Sequence, residues 1–298
     1  MIDWDKLRVF HAVAEAGSFT HAGEALNLSQ SAVSRQISGL EESIGMMLFH
    51  RHARGLLLTE QGEMLYRTAH DMSARLAMTE AMITDAAEKP RGELKVTTTV
   101  GFGSTWLTPR IREFTEHYPD VTLHLILDDR ELDLGMREAD IAIRMHEPVQ
   151  GDLIKRKLVR VHRHIYASPE YLSRNGTPST IEELVDHKLI VYGEEAPTVI
   201  ADVNWLLMLG DKATNMRLKP SLKVNNIYST LLAVESGVGI AGLPDYMVQG
   251  HSRVTRVIPD VEGPAFDTFF VYPEELRNSK RVAIFRDFLV RKVKDEQF

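Results

Sequence analysis

Residues 28–41 read LSQSAVSRQISGLE, and the way this stretch folds decides the rest of the chain. Four serines and two glutamines give it the composition of a loop. Its spacing is that of a helix. At about 100° per residue, Val33, Ile37, Leu40 and Ile44 fall in one narrow arc, the buried edge of an amphipathic helix. Gln30, Ser31, Ser34, Arg35 and Ser38 gather on another face. Ser29 suits the N-cap, where a hydroxyl accepts from an orphan backbone N–H. Serine is a poor interior helix former, so this many needs a reason. One reason is reach: a helix in the DNA major groove needs short side chains for close approach, with Gln and Arg to bond base edges and phosphates. A plain solvated face fits the same pattern.

The flanking sequence sharpens the choice. Residues 4–16 predict a helix with Leu7, Phe10, Val13 and Ala14 inward, stopped by Gly17. Thr20–Leu26 predicts a second short helix with Ala22, Ala25 and Leu26 inward, and Asn27 suits the left-handed residue that closes it. Two helices joined by so short a turn, the second with a polar face, make a helix-turn-helix. LFHRHARGLLLT, residues 48–59, then predicts two short strands with a basic tip, a wing. Thr59 to about Glu88 contains no Pro and one Gly. Leu65, Ala69, Met72, Leu76, Thr79 and Ile83 alternate four and three apart, a seam for pairing two long helices or for packing on the same domain. Lys89-Pro90-Arg91-Gly92 breaks the helix and marks a domain boundary.

The 298 residues, 44% hydrophobic, suit two or three globular domains. No window approaches the roughly 18 uncharged apolar residues of a membrane span, and MIDWDKLRVF lacks the pattern of a signal peptide, so a cytoplasmic location is expected. With no cysteine, disulfides, thiolate metal sites and thiol redox switches are excluded. The formal net charge of −7 is unusual for a DNA binder. Arg35, His50, Arg51, His52 and Arg54 nonetheless group locally, and a modest, salt-sensitive affinity is expected.

Beyond Gly92 strands and helices alternate, which predicts an α/β domain rich in parallel strands. Strands are expected at ELKVTTTV, VTLHLIL, DIAIRM, LIVYG, SLKV, GIAGLP and FDTFFVYP, with a strand pair or crossing segment at LVRVHRHIYAS. Helices are expected from near Ser104 to about His117, over about Leu132–Glu138, in IEELVDH, over about Ile227–Ser236 and over Ser279–Val293.

Residues 14–62 carry GSFT, an alanine-rich second helix, LSQSAVSRQI, the LE pair, LFHR and LTEQG in order, and in this they resemble the winged helix-turn-helix of LysR-type transcriptional regulators. GELKV, HYPDV, EADIAIR, SPEYL and GVGIAGLP extend the likeness along the chain, and the opening sequence resembles the LsrB/VtlR-type subgroup. The resemblance implies an N-terminal all-α winged helix-turn-helix, a long dimerising linker helix, and a C-terminal α/β effector domain similar to periplasmic binding proteins, in two subdomains. The boundaries expected are 1–58, 59–91 and 92–298, with subdomain I at 92–161 and 267–298 and subdomain II at 162–266. It implies double-stranded promoter DNA, RNA polymerase and a small-molecule effector as partners, a homodimer or homotetramer as the assembly, and no cofactor.

Residue by residue, it places Gln30, Ser31, Ser34, Arg35 and Ser38 toward DNA, with Arg51 and Arg54 in the wing. Ser31 stands where many members have proline. Thr98, Thr99, Gly101 and Ser104, at the end of the first strand of the α/β domain and the start of the next helix, offer hydroxyls and N–H groups that suit an anionic effector. Asn225 and Asn226 precede the corresponding helix of the second subdomain. Threonines at a strand end are also simply good strand formers. Arg144 either faces this site or holds structure through an ion pair.

An enzyme is disfavoured, because nucleophile elbows, phosphate loops and paired catalytic carboxylates are missing. A metal site is not expected either: the pairs His50/His52 and His162/His164 lack a third ligand. A binding protein that never touches DNA leaves the serine-rich helix and basic wing unexplained.

Overall fold

Helix caps and strand ends fall where short polar side chains and glycines permit them. The structure, a computed structural model, describes residues 2–52, 55–85, 89–193, 200–249 and 253–294. It divides into two compact units, Met1–Ile83 and Thr84–Phe298. In the first, α1 (Trp4–Ala16), α2 (Phe19–Leu26) and α3 (Gln30–Ile44) precede β1 (Phe49–His52), β2 (Gly55–Leu58) and α4 (Glu60–Asp85). Asp3, Ser18 and Ser29 cap the three short helices, each side chain accepting from a backbone N–H in the first turn. Asn27 ends α2 in the left-handed conformation at φ 54°, as its sequence position predicts. Gly23 is required by the turn that follows: a Cβ there would stand 2.7 Å from the Leu28 carbonyl oxygen.

The core of this unit is Leu7, Val9, Phe10, Val13, Ala22, Val33, Ile37, Leu40, Leu48, Phe49 and Ala69. Each large aliphatic side chain buried here contributes about 1.5–3 kcal/mol relative to exposure. Ala25, expected inward, is exposed; the adjoining Ala22 and Gly23 are the residues that face the packed side. β1 and β2 pair antiparallel, Phe49 opposite Leu58 and His52 opposite Gly55. The seam of α4 divides along its length. Leu65, Ala69 and Met72 pack on the unit's own core, whereas Leu76 is 51% exposed.

The second unit begins with β3 (Gly92–Thr98), and α5 (Val100–Phe102) continues through a π turn (Gly103–Leu107) and a 3₁₀ turn (Thr108–Arg110) into α6 (Ile111–His117). There follow β4 (Val121–Leu127), β5 (Ile141–Arg144), β6 (Leu153–Val161), β7 (Arg163–Ala167), α7 (Pro169–Asn175), β8 (Ile190–Tyr192), α8 (Trp205–Thr214), β9 (Leu222–Val224), α9 (Ile227–Glu235), β10 (Ala241–Pro244), β11 (Thr255–Val257), β12 (Phe266–Pro273) and α10 (Lys280–Lys294). One sheet has the order β4-β3-β5-β12-β6. In it β3 runs parallel to β4 and β5, and β12 antiparallel to β5 and β6. A second sheet, β10-β7-β11, is antiparallel throughout, and β8 pairs in parallel with β9. The parallel-rich expectation therefore holds for the first three strands of the large sheet and for the β8–β9 pair, and fails for the β7 sheet.

The helix expected from Ser104 starts at Val100, because Thr99 caps it. No helix forms at Leu132–Glu138. The Asp133 carboxylate instead accepts from the N–H groups of Gly135 and Met136, and Arg137 adopts φ 57°, so the segment closes as turns. IEELVDH is a 3₁₀ segment, Glu182–Asp186. The sequence pattern does not mark helices α7 and α8 or strand β11. Helix α8 (WLLMLGDKAT) opens on five consecutive apolar residues, which read as a short apolar run rather than as a helix period.

Candidate nucleic-acid interface and effector pocket

Helix α3 is held from behind and bare in front. Val33, Ile37 and Leu40 are fully buried, and Lys6 Nζ donates to the Gly39 carbonyl at 3.2 Å, tying α1 to the middle of the helix. On the opposite side Gln30, Ser31, Arg35 and Ser38 are exposed, with Ser34 half-buried beside them. The Ser29 and Ser31 hydroxyls lie 3.1 Å apart, so Ser31 is partly engaged with the cap. Everything on this face is short except Gln30 and Arg35, so backbone and base edge can approach closely.

Behind the helix, Glu41 is buried at 7% exposure and its Oε1 accepts from the N–H groups of Leu48 (2.7 Å) and Phe49 (3.3 Å). This carboxylate fixes where the wing begins, a role that sequence reasoning missed; its signal is an acid one turn beyond the buried Ile37, at the border of the apolar edge. Arg51 lies on β1 opposite Leu56. Arg54 falls outside the described residues.

In the second unit, Thr98 and Thr99 line a small pocket of about 20 Å³ with Asp128, Arg130, Glu131 and Arg144. That volume admits about one water molecule. The groups expected to be free for an anion are engaged. The Thr98 hydroxyl donates to the Ile143 carbonyl at 3.1 Å, and Thr99 Oγ1 accepts from the Phe102 N–H. The Val100 N–H, at the helix start, donates to Asp129 Oδ1 at 3.0 Å. Arg144 is 7% exposed and lines the pocket while also meeting Glu131 at 3.6 Å, Gln150 at 3.4 Å and the Leu132 carbonyl at 3.3 Å. These contacts realise the structural reading of this arginine.

Gly101 does not line the pocket. It packs against α9, where a Cβ would stand 2.3 Å from Ile227 Cγ2. Asn226 caps α9 by accepting from the Ser229 N–H at 2.8 Å, its Nδ2 lies 3.3 Å from Asn225 Oδ1, and Asn225 is exposed. The turn at Gly101 and the start of α9 thus meet, while Thr98 and Thr99 face elsewhere and Ser104 has no place in the pocket lining. Asp129 also accepts from the Tyr192 hydroxyl at 3.3 Å, joining the end of β4 to the end of β8. Burial raises the Asp129 carboxyl above its usual range, against the opposing hydrogen bonds from Val100 and Tyr192, and the neighbouring Asp128 adds to the rise. Burial, then the Asp129 charge, pushes the Tyr192 hydroxyl up.

A recognition helix backed by a wing, followed along the chain by an α/β unit, defines a winged-helix regulator with a sensory domain. Comparisons with known proteins agree. Residues 4–63 match the bacterial regulatory helix-turn-helix protein of the lysR family, and residues 87–294 match the LysR substrate binding domain. The transcriptional regulator CrgA of Neisseria meningitidis is 31% identical over 293 residues, covering 97% of this chain and 96% of CrgA. The solved structure of CrgA superposes with a TM-score of 0.59 at 29% identity, over 98% of this chain and 99% of that one. The full-length virulence activator AphB of Vibrio cholerae gives a TM-score of 0.60 at 26% identity, over 97% and 99%. The chain belongs to the LysR family of transcriptional regulators. It is a DNA-binding transcriptional regulator with an effector-binding domain. Among the described residues no helix is long and apolar enough to cross a membrane.

Proposed function

We propose that two copies pair through α4 and present two α3 helices to successive turns of an interrupted inverted repeat in promoter DNA. The observation that carries this reading is the bare face of α3, with Gln30, Ser31, Ser34, Arg35 and Ser38 opposite a locked apolar edge. Gln30 and Arg35 read base edges and phosphates, the serines give clearance, and Arg51 and Arg54 lie along the backbone from the wing. Pairing is supported by a groove of about 100 Å³ lined by Trp4, Leu7, Met72 and Leu76, which continues the α4 seam where the unit's own core leaves off. The chain is organised as residues 1–58, 59–91 and 92–298, the last in subdomains 92–161 with 267–298 and 162–266. Two dimers assemble into a tetramer in the cytoplasm.

A small-molecule effector, anionic in character, binds between the subdomains near Thr98, Thr99, Gly101, Ser104, Asn225 and Asn226. The Gly101–Ile227 and Asp129–Tyr192 contacts close the space between these residues, and binding requires them to part. An effector shifts that equilibrium only through its difference in affinity for the closed and opened arrangements. The opening alters the angle between dimers and so the contact with RNA polymerase. The likeness of the opening sequence supports the LsrB/VtlR-type subgroup, which exchange of operators with a member of that subgroup tests.

Hydroxyl-radical footprinting of the full chain on DNA upstream of its own gene tests the arrangement. Two protected half-sites, one helical turn or a multiple apart, are expected. A single unpaired footprint contradicts it. Thr98→Ala is expected to change the transcriptional response while operator binding persists; normal induction removes Thr98 from the site.

A further inference from the structure

Three side chains unused by the regulator's reading of DNA converge on the first unit. His11 and Glu15 stand four residues apart on α1 and therefore share a face. His70 meets them from α4. His11 Nε2 lies 3.1 Å from His70 Nδ1, and Glu15 Oε1 lies 3.7 Å from the first and 3.8 Å from the second. Among the described residues this is the one group of three or more such ligands close enough to share an ion. We propose that it is a site for a divalent transition metal of the zinc class.

The spacing carries the proposal. Zinc binds imidazole nitrogen at about 2.0–2.1 Å and carboxylate oxygen at about 2.0–2.2 Å. Tetrahedral ligands at those lengths are about 3.4 Å from one another. The three measured separations straddle that figure, and an ion about 0.7 Å out of the plane of the three atoms would lie about 2.2 Å from each. The separations of the three ligand atoms are already close to those around a bound ion. The chemistry of the donors agrees, since two neutral imidazoles and a carboxylate suit zinc, and the same set takes cobalt, nickel or copper. Binding requires that the proton shared by the two rings move to a far ring nitrogen. That is a change of tautomer, with no net proton release from neutral histidines.

The surroundings are those of an open site. The imidazoles are partly covered, at 14% and 22% exposure, while Glu15 is 51% exposed, so a water completes the shell from the solvent side. Tyr66 stacks on the His11 ring at 5.6 Å and 17°, which holds that ligand's orientation. His11 also lines the apolar groove between α1 and α4. A bound ion would cross-link the first helix of the DNA-binding unit to α4 beside the groove assigned above to dimer contact. The pairs His162 with Glu262 and His164 with Asp245 offer no comparable third ligand.

Titration of the metal-free full chain with Co²⁺ tests the site, read by the visible ligand-field absorption of the tetrahedral ion. The chain has no cysteine, so thiolate ligands cannot contribute to the signal. One equivalent is expected to produce the band, and Zn²⁺ to displace it. Glu15→Gln, His11→Gln and His70→Gln should each weaken binding at least tenfold, and His162→Gln should leave it unchanged. Glu15 is half in solvent, so that variant tests the ligand without disturbing the core. The proposal is overturned by absence of a stoichiometric band in the wild-type chain, or by a band that survives in Glu15→Gln and His70→Gln.

Discussion

Substituting Gly101 by alanine tests whether the effector domain rests closed at this point. The new Cβ would stand 2.3 Å from Ile227 Cγ2. Ordinary carbon contacts need about 3.5–4.0 Å, so the two elements must part by about 1.2–1.7 Å. Relief is not available locally, because Ile227 is 8% exposed and the adjoining Leu231 and Val234 are fully buried. Overpacking of this kind costs about 1–3 kcal/mol. Ile227→Ala removes the clashing methyl and on its own costs about 2–5 kcal/mol through the cavity it leaves. In the double variant the alanine at 101 enters that cavity, so the two losses should fall short of additive by about 1 kcal/mol or more. Urea unfolding of the full chain gives the free energies, with Trp4→Phe as a common background so that Trp106 and Trp205 report on the second unit. Additivity to within about 0.5 kcal/mol would show that the Gly101 turn does not lean on α9, and the closed arrangement would have to be abandoned.

Three further outcomes are expected. Glu41→Ala leaves the buried N–H groups of Leu48 and Phe49 without their acceptor and should cost about 2 kcal/mol or more, with Glu41→Gln milder; unchanged amide-exchange protection at residues 48 and 49 would count against this role. Asp129→Asn should be more stable than wild type at neutral pH. The raised carboxyl of Asp129 contributes stability that is present below its unfolded value and is lost as pH rises through the higher folded value. The gap between variant and wild type should therefore close as pH falls, and a gap independent of pH from about 4 to 7 would refute the assignment. Leu76→Glu should weaken self-association, since that side chain is 51% exposed on the α4 seam; an unchanged sedimentation profile would place the dimer contact elsewhere.

The DNA-binding unit was legible because its signals are local. The period of Val33, Ile37 and Leu40, the cap at Ser29 and the left-handed Asn27 all act within a few residues, and each is found as read. Most strands of the α/β unit were legible for the same reason. What escaped was decided at long range or by rival local bonding. Asp133 drew two backbone N–H groups into a turn where the pattern promised a helix. The hydroxyls and N–H groups near Thr98 looked available for an anion, yet Ile143 and Asp129, 45 and 29 residues further along, take them. Asp129 itself follows a plain strand and carries no local mark. The His11, Glu15 and His70 cluster joins residues 59 positions apart, and only the packing of α1 on α4 reveals it.

The most direct measurement is fluorescence anisotropy of the full chain on DNA upstream of its own gene, across a salt series, beside Arg35→Ala. The account predicts sequence-dependent binding that weakens steeply with salt, and a loss of about 1–3 kcal/mol in the variant while its fold persists. Equal affinity of the two proteins for the specific site would contradict the claim that this face of α3 reads DNA.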